Sequence, residues 1–578
     1  MKKILIANRG EIAVRIIRAC RDMGITTVAI YADSDANALH TRMADEAFAL
    51  SGDRPEETYL NIKKIIALAS ASGAEGIHPG YGFLSERPEF AQAVLDSGLC
   101  WIGPSPESIT LLGDKIQARK IAQKVGAPLA SGTSGPVKGV NEVIAFARKH
   151  GLPVAIKAAH GGGGRGLRVA WTMEELDEQY HSAVREAIAA FGKGECYVEQ
   201  FLDKPRHVEV QILADLYGNV RVLGTRDCTL QRRNQKLIEE APAPFLTAEQ
   251  QTQMYHAAVA ICKKAGYSGA GTVEFLLSQD GLISFLEVNT RLQVEHTVTE
   301  EITGIDLVAA QINIARGERL PTTTPPSIHG HAFEFRINAE DPAQGFLPVC
   351  GCLKRFSPPS GPGVRLDSGV ETGSLISPFY DSLMAKLIVR GANRKQALKR
   401  AIRALEEFHI AGVASVLPFH RAAIVHSDFA GAKHSFRVHT RWIENDFSAS
   451  FLPSARNFPV ETAELIRSFI EIGDKQYRIG LPAKLLSGIN ISQHEYHINK
   501  STLTNVPDGQ LLAPVTGVLQ RWIVGDDDSV QEGDTLAILE SMKMETPLLA
   551  PHSGIVHIKV ATGEQIQAGE VIGLISQK

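Results

Sequence analysis

The segment Glu287-Val-Asn289-Thr-Arg291-Leu-Gln293-Val-Glu295-His places an acid, an amide or a guanidinium at nearly every odd position and mostly apolar residues between them. In an extended chain, side chains alternate between faces. Glu287, Asn289, Arg291, Gln293 and Glu295 would then share one face, with Val288, Leu292 and Val294 on the other. A merely solvated sheet face would favour Thr, Lys and Ser over such a set. Just upstream, Asp280-Gly281 is a favoured two-residue turn and predicts a hairpin of Thr272–Leu277 with Ile283–Asn289. That register sets Glu274 opposite Glu287. Facing carboxylates repel unless a shared proton or a cation offsets them. With Asn289 they form an all-oxygen set suited to Mg²⁺ or Mn²⁺ bridging substrate phosphates.

A second candidate is His160-Gly-Gly-Gly-Gly-Arg-Gly166, after the apolar strand Val154-Ala-Ile-Lys157-Ala. Glycines let backbone N–H groups approach phosphate oxygens, and Lys157 could reach the same anion. A flexible linker would look similar. Lys236 follows Arg232-Arg233 and could be one more member of a solvated basic turn. Arg336 lies in the alternating strand Glu334-Phe-Arg336-Ile-Asn338 and could be a plain sheet residue. Near the C-terminus a pattern occurs twice. Ala513-Pro-Val-Thr-Gly517 with Val530-Gln-Glu-Gly533-Asp534 is matched by Ala550-Pro-His-Ser-Gly554 with Ile566-Gln-Ala-Gly569-Glu570. Such a repeat predicts two similar halves closing into one small β unit. Between them Glu540-Ser-Met-Lys543-Met-Glu displays one lysine at a hairpin tip, a lysine placed for modification.

The elements that must position these residues follow from pattern. Residues 1–113 alternate strand-like runs (Ile4–Ala7, Thr27–Tyr31, Gly76–His78, Cys100–Ile102) with helical periodicity, which predicts a parallel, doubly wound sheet. Its first turn, Asn8-Arg9-Gly10-Glu11-Ile12-Ala13, is not a dinucleotide fingerprint and predicts scaffold and active-site wall. A second α/β region spans 114–329, a mixed region 330–445, a connector 446–507 and the small β unit 508–578. Within the connector, Ser468–Gly480 alternates around Gly473-Asp474 and predicts a short hairpin.

Composition is that of an ordinary globular protein: 578 residues, 44% hydrophobic, 21% charged, net charge −4. With both signs interspersed, there is no electrostatic case for nucleic acid or an anionic membrane. The seven cysteines are scattered without zinc spacing, which predicts free thiols and a cytoplasmic protein. The apolar run after Lys2-Lys3 is too short for a secretory signal and reads as a buried first strand.

The C-terminal pattern resembles a biotin carboxyl carrier domain, whose motif is Glu-Ala-Met-Lys-Met; Ser541 stands in place of Ala. Lipoyl domains share the repeat but usually present Asp-Lys-Ala. Residues 1–445 resemble the biotin carboxylase family of the ATP-grasp fold. The matching runs are Ala7-Asn-Arg-Gly-Glu-Ile-Ala13, His78-Pro-Gly-Tyr-Gly-Phe-Leu-Ser-Glu86, Gly113-Asp-Lys115, Arg206-His-Val-Glu209, Gln231-Arg-Arg-Asn-Gln-Lys236, Glu239-Glu-Ala-Pro, Asn289-Thr-Arg-Leu-Gln-Val-Glu-His296 and Arg336-Ile-Asn-Ala-Glu-Asp341.

That resemblance implies a Rossmann-like N-terminal domain (1–113), an ATP-grasp domain (114–329) with a mobile Gly-rich lid at about 131–203, a mixed C-terminal domain (330–445) and an all-β biotinyl domain of barrel-sandwich form. It implies roles as well. Lys115, Lys157, Gly163, Gly164, Glu199, Leu202 and His207 would contact ATP, and Glu274, Glu287 and Asn289 would hold Mg²⁺ or Mn²⁺. Lys236, Arg291, Gln293 and the Val294 backbone would bind bicarbonate, Glu295 would be the base, and Arg336 would steady oxyanions. Lys543 would carry covalent biotin, attached by a biotin-protein ligase. Asn234 and Gln200 depart from residues that some members carry near the nucleotide. The layout resembles the α chain of acetyl- or propionyl-CoA carboxylases. It implies homo- and hetero-oligomers with a separate carboxyltransferase (β) subunit, with a pyruvate carboxylase complex as the alternative.

Overall fold

The computed structural model describes residues 1–133, 135–158, 167–191, 194–433, 435–451, 465–472, 475–482, 509–542 and 544–576, with backbone alone at 189–191 and in the two short segments between 465 and 482. Gly163, Gly164, Lys543 and the turn residues Gly473 and Asp474 lie outside the described residues.

The N-terminal unit is a five-stranded sheet, all parallel, in which Lys3–Ile6 lies between Thr26–Tyr31 and Gly76–His78. Cys100–Trp101 forms one edge. The other edge is Glu46–Ala49, a strand the apolar pattern had not marked. Its Glu-Ala-Phe-Ala sequence carries one large apolar side chain, and only pairing with Val28–Tyr31 makes it a strand.

The second sheet is antiparallel and eight-stranded. In spatial order it runs Ile283–Asn289, Gly269–Leu277, Arg206–Ala214, Val220–Arg232, Gln235–Ala241, His331–Asn338, Leu383–Gly391 and Val364–Ser368. It therefore crosses the expected 329/330 boundary without interruption, through Ile238 opposite Phe335 and Ala241 opposite Ala332. A separate three-stranded sheet (Leu167–Ala170, Val154–Ala158, Cys196–Gln200) packs with the helices Val140–His150 and Leu176–Phe191 around a core of its own.

The hairpin of Gly269–Leu277 with Ile283–Asn289 differs from its expectation in its turn. Ser278 pairs with Leu282, so the loop is Gln279-Asp280-Gly281, one residue longer than the two-residue turn. Phe275 accordingly faces Phe285, and a register shift between Glu274 and Phe275, which leaves Leu286 as the extra residue, restores Glu274 opposite Glu287. The pairing of the two carboxylates holds, although the turn that was to produce it is different.

The C-terminal unit has two four-stranded antiparallel sheets, and its sequence repeat is a structural one. The Gly533 N–H donates to the Ala550 carbonyl and the Gly569 N–H to the Ala513 carbonyl, so each half holds the other by the same bond. In each turn the acid after the glycine accepts the same N–H: Gln531 donates to Asp534 and Gln567 to Glu570. Among the described residues of the connector, Leu465–Ile472 and Lys475–Pro482 pair antiparallel, longer than the hairpin expected from Ser468–Gly480. No helix among the described residues is long and apolar enough to cross a membrane.

Candidate active site

Strand periodicity builds the site's floor. On Arg206–Ala214, alternation points His207, Glu209 and Gln211 to one face. Sheet register then sets Arg226 opposite Glu209, Glu209 opposite Glu274, and Glu274 opposite Glu287. Three carboxylates thus lie in one cross-strand row, an arrangement that repels unless cations sit on it. Two cations do, Arg226 fully buried and Lys236 half-buried. Arg226 donates to Glu209 at 2.6 Å and to Gln211 at 2.6 Å. The Lys236 ammonium, from the neighbouring hairpin, reaches Glu209 at 2.7 Å, Glu274 at 3.1 Å and Glu295 at 2.6 Å.

Lys236 is therefore not a solvated turn residue. Its hairpin turns through Arg233 and Asn234, both left-handed at φ 47° and 64°, with Arg232 paired to Gln235. Asn tolerates that conformation better than most side chains, which gives Asn234 a backbone reason. Gln200 ends the strand Cys196–Gln200 opposite Val154.

Residues 290–295 correct an expectation. The strand ends at Asn289, and Glu295 is the N-cap residue of the helix His296–Thr303 rather than part of an extended run. The polar side chains still converge, because the loop folds back over the row. Arg291 donates to Gln293 at 2.8 Å and lies 3.4 Å from the Asn289 amide oxygen. The Asn289 and Gln293 amides donate to Glu274 at 2.6 and 3.0 Å. Leu292 and Val288 are buried as expected, whereas Val294 is half-buried, its carbonyl accepting from Lys386 at 2.7 Å.

Glu295 is 0% exposed and held from both sides: one oxygen takes Lys236, the other takes Arg336 at 2.8 Å. Burial alone would raise its pKa, but Lys236, Arg336 and Arg226 outweigh burial and hold it below the usual carboxylate range. Glu274 is likewise held down against burial by Lys236 and His207. Arg336 is the half-buried partner of Glu239 at 2.6 Å, and burial among acids pushes Glu239 up to about 8. His207 contacts Glu274 at 2.8 Å.

Of the expected nucleotide residues, Lys115 and Lys157 are exposed, whereas His207 is buried. Lys115 pairs with Glu287 at 3.0 Å, Lys157 with Glu199, and Arg119 with Glu199 at 3.7 Å, while Leu202 is buried beside them in sequence. Glu274, Glu287 and the Asn289 amide offer the oxygen donors a hard divalent cation prefers, so this set fits Mg²⁺ or Mn²⁺. His207, Glu209 and Glu274 present ligand atoms within 4.8 Å of one another.

Sequence reasoning had not assigned Glu209, Arg226, Glu239, Glu86 or Lys386. Glu86 receives Arg291 at 2.9 Å and so fixes the guanidinium. The alternation His207, Glu209, Gln211 was a usable signal; Arg226 and Lys386 carried none. Lys386 is fully buried and joins three parts of the chain: it donates to the Val294 carbonyl and pairs with Glu11 at 3.4 Å, from the N-terminal helix.

Burial pushes Glu11 up to about 7, with Lys386 offsetting only part of the effect. A raised carboxyl pKa contributes stability that is complete below its ordinary value of 4.5 and lost as pH rises toward about 7. Glu11→Gln removes that contribution. Its denaturation midpoint should therefore change less than the wild type's between roughly pH 5 and 7.5, the difference amounting to ~1–3 kcal/mol. Urea titrations of both proteins at the two pH values check it, and equal slopes would contradict it.

Comparison with known proteins gives the family. Family models match residues 1–109 (biotin carboxylase, N-terminal domain), 114–323 (carbamoyl-phosphate synthase L chain, ATP binding domain), 334–445 (biotin carboxylase C-terminal domain) and 509–575 (biotin-requiring enzyme). The chain belongs to the biotin carboxylase family: it is an ATP-grasp enzyme with a carrier domain of the biotin-requiring type. It is 53% identical to the biotin-dependent acyl-coenzyme A carboxylase alpha3 subunit of Mycobacterium leprae, over 99% of this chain and 97% of that one. It is 50% identical to a Nostoc biotin carboxylase over 74% of this chain and 96% of that one. Among solved structures, the bicarbonate-bound biotin carboxylase domain of a thermophilic 2-oxoglutarate carboxylase superimposes with a TM-score of 0.73 at 44% identity, covering 77% of this chain and 97% of that one.

Proposed function

We propose that this chain uses ATP and bicarbonate to carboxylate biotin carried on its own Lys543, and supplies the carboxyl group to a separate carboxyltransferase subunit of an acyl-CoA carboxylase. The observation that carries the reading is Glu295, buried and ionised between Lys236 and Arg336.

Bicarbonate is an anion and a poor electrophile, and must be activated. Lys236, Arg291, Gln293 and the Val294 backbone hold it over the carboxylate row. Bicarbonate arriving at Lys236 takes donors that Glu295 had used, so Glu295 loses its strongest stabilising neighbour and becomes more basic as its substrate binds. Glu295 accepts the bicarbonate proton as the bicarbonate oxygen attacks the γ-phosphorus. One P–O bond forms and the bond to ADP breaks, giving carboxyphosphate.

Two unit charges ~4 Å apart interact by about 4 kcal/mol at an effective dielectric of 20, so unneutralised repulsion would block the attack. Lys115, Lys157 and Lys236 offset it, with His207, Glu199, Leu202 and the Gly163–Gly164 loop around the nucleotide. Glu274, Glu287 and Asn289 would hold Mg²⁺ or Mn²⁺, which supplies further neutralisation of the phosphates when bound. Carboxyphosphate then parts into CO₂ and phosphate beside Arg336. Biotin on Lys543, once installed by a biotin-protein ligase, would supply the ureido nitrogen that bonds to CO₂, its N–H proton passing to the phosphate just released.

The similarity to an acyl-CoA carboxylase subunit supports an acyl-CoA acceptor; the reading takes it to be acetyl- or propionyl-CoA and the enzyme to be a cytoplasmic homo- and hetero-oligomer. A 2-oxo acid such as pyruvate is the second reading, supported by the likeness to the 2-oxoglutarate carboxylase domain. The test is ADP release by biotinylated protein with MgATP, with and without bicarbonate, beside Lys543→Ala. Turnover should require bicarbonate, and ¹⁴C from bicarbonate should enter wild-type protein but not Lys543→Ala, which still responds to free biotin. Turnover indifferent to bicarbonate would mean the ATP site activates another acid. For the partner, deletion of residues 460–482 should abolish co-purification of the transferase subunit while leaving free-biotin activity in place. A complex that survives the deletion removes the hairpin from docking.

A further inference from the structure

We propose that Glu239 and Glu334 act as one unit, a carboxylic acid–carboxylate pair sharing a single proton, and that this proton keeps the charge of Arg336 available to the reaction. The proposal rests on the reading that Arg336 receives the oxyanions formed as carboxyphosphate breaks down.

Sheet register builds the pair. Glu239, on Gln235–Ala241, stands directly opposite Glu334, on His331–Asn338. Opposed residues of antiparallel strands hold their Cβ atoms ~4.5–5.5 Å apart on one face, within reach of two Glu side chains. Both residues are 0% exposed. The helix His296–Thr303 seals that face, with Val298 and Ile302 packed against Ala241, Ala332 and Ile388. The two acids therefore meet in an apolar enclosure.

Each acid has one oxygen engaged and one free. Glu239 accepts from Arg336 at 2.6 Å, and Glu334 accepts from the Thr297 hydroxyl. The remaining oxygens, Glu239 Oε2 and Glu334 Oε1, are buried without a hydrogen-bond partner among the described residues. One shared proton satisfies both.

The surrounding charges lead to the same result. The pair is faced by Arg336 from the Glu334 strand, Lys236 from the Glu239 strand and Cys228 from Val220–Arg232. Glu295 faces it from the start of the sealing helix, and Lys386 from Leu383–Gly391. None of the three cations serves the pair alone. Arg336 is divided between Glu239 and Glu295, and Lys236 among Glu209, Glu274 and Glu295. Lys386 pairs with Glu11, lies opposite Asp367 in register and donates to the Val294 carbonyl. Two ionised carboxylates here would lack positive charge, so one keeps its proton. Burial and the neighbouring acids accordingly raise both, Glu239 to about 8 and Glu334 to about 7.

With one proton the pair carries one negative charge. When that proton leaves, Arg336 lies beside two further carboxylates besides Glu295, and its pull on a developing oxyanion weakens. Glu239 and Glu334 act through Arg336 and are positioning residues.

The test follows ADP release by the full chain with MgATP, bicarbonate and free biotin from roughly pH 6.5 to 9.5, beside Glu334→Gln. The amide cannot ionise, so the variant keeps the one-proton charge throughout. Wild-type kcat/KM for biotin should fall about tenfold per pH unit above about pH 8, and in the variant the fall should move up by about one unit or more. Infrared difference spectra between about pH 7 and about pH 9 add a readout that a merely structural role would not move. The wild type should lose one carboxylic-acid C=O band that is missing from the variant's difference spectrum. Should Glu334→Gln fail to fold, Glu239→Gln, which leaves Glu334 as the only acid of the pair, is read in the same way. A fall at the same pH in both proteins, a wild type that loses no such band, or a band unchanged by the substitution overturns the pair. Absence of biotin-dependent turnover in the wild type would instead overturn the reading of the site, with the infrared band still deciding whether the proton is shared.

Discussion

Glu295→Gln lowers bicarbonate-dependent ADP release by ~10²–10⁴-fold, the range for losing a positioned proton acceptor. Gln keeps the shape of the side chain, but its one amide oxygen can accept from Lys236 or from Arg336 and not from both, and it cannot take the bicarbonate proton. The expected loss therefore falls on kcat, with the KM for ATP little changed, since no nucleotide-contacting residue named above touches Glu295. Steady-state ADP release at saturating and limiting bicarbonate, together with ATP titration, measures both. A variant keeping more than about a tenth of wild-type turnover would assign the proton to another acceptor.

Lys236→Met has a larger structural consequence. Glu209, Glu274 and Glu295 all spend an oxygen on Lys236, and all three are buried. Removing one partner from a buried ionic cluster costs about 3–5 kcal/mol, because uncompensated charge is left behind. Arg226, His207 and Arg336 remain, so the fold survives with a lower midpoint. The pH dependence follows from sign. Lys236 helps hold all three carboxyl pKa values below the usual range, and in its absence they rise. The variant should therefore recover part of its lost stability as pH falls from neutrality toward about 5, where those carboxyls begin to protonate. Added Mg²⁺ should also narrow the gap, since a divalent cation can neutralise the same row. Thermal melts at two pH values, with and without Mg²⁺, check both statements. A melting point unaffected by the substitution would show that the carboxylates are compensated elsewhere, and turnover should be lost with the bicarbonate-binding ammonium in either case.

Much of the site was legible because its signals are local. A period of two marks a strand face, so Glu287 and Asn289 could be assigned to one surface from spacing alone. A Gly-centred turn marks a hairpin, so Glu274 could be set against Glu287, although the loop proved to be three residues and a bulge at Leu286 recovered the register. The repeat around Lys543 was visible because each half must use the same turn to bond the other, as Gly533 and Gly569 do. The edge strand Glu46–Ala49 was missed because it has too little apolar pattern to declare itself without its neighbour.

What remained hidden depends on contacts between segments far apart in sequence. Glu209 stands beside Glu274 only because Arg206–Ala214 and Gly269–Leu277 are sheet neighbours. Neither strand's own pattern says so. Lys236 and Arg336 looked like ordinary basic residues until the fold placed them on either side of Glu295. Glu295 itself meets them from a helix start rather than from the extended run its spacing suggested. By itself, then, the sequence determined which chemical groups are present and which stretch of backbone carries them, since alternation, turns and repeats are short-range. Only the tertiary structure decided which charges neutralise which, and that one sheet runs unbroken from Glu287 to Arg336. Those outcomes depend on pairing and burial across the chain, and a charge's energy is set by its neighbours in space rather than by its neighbours in sequence.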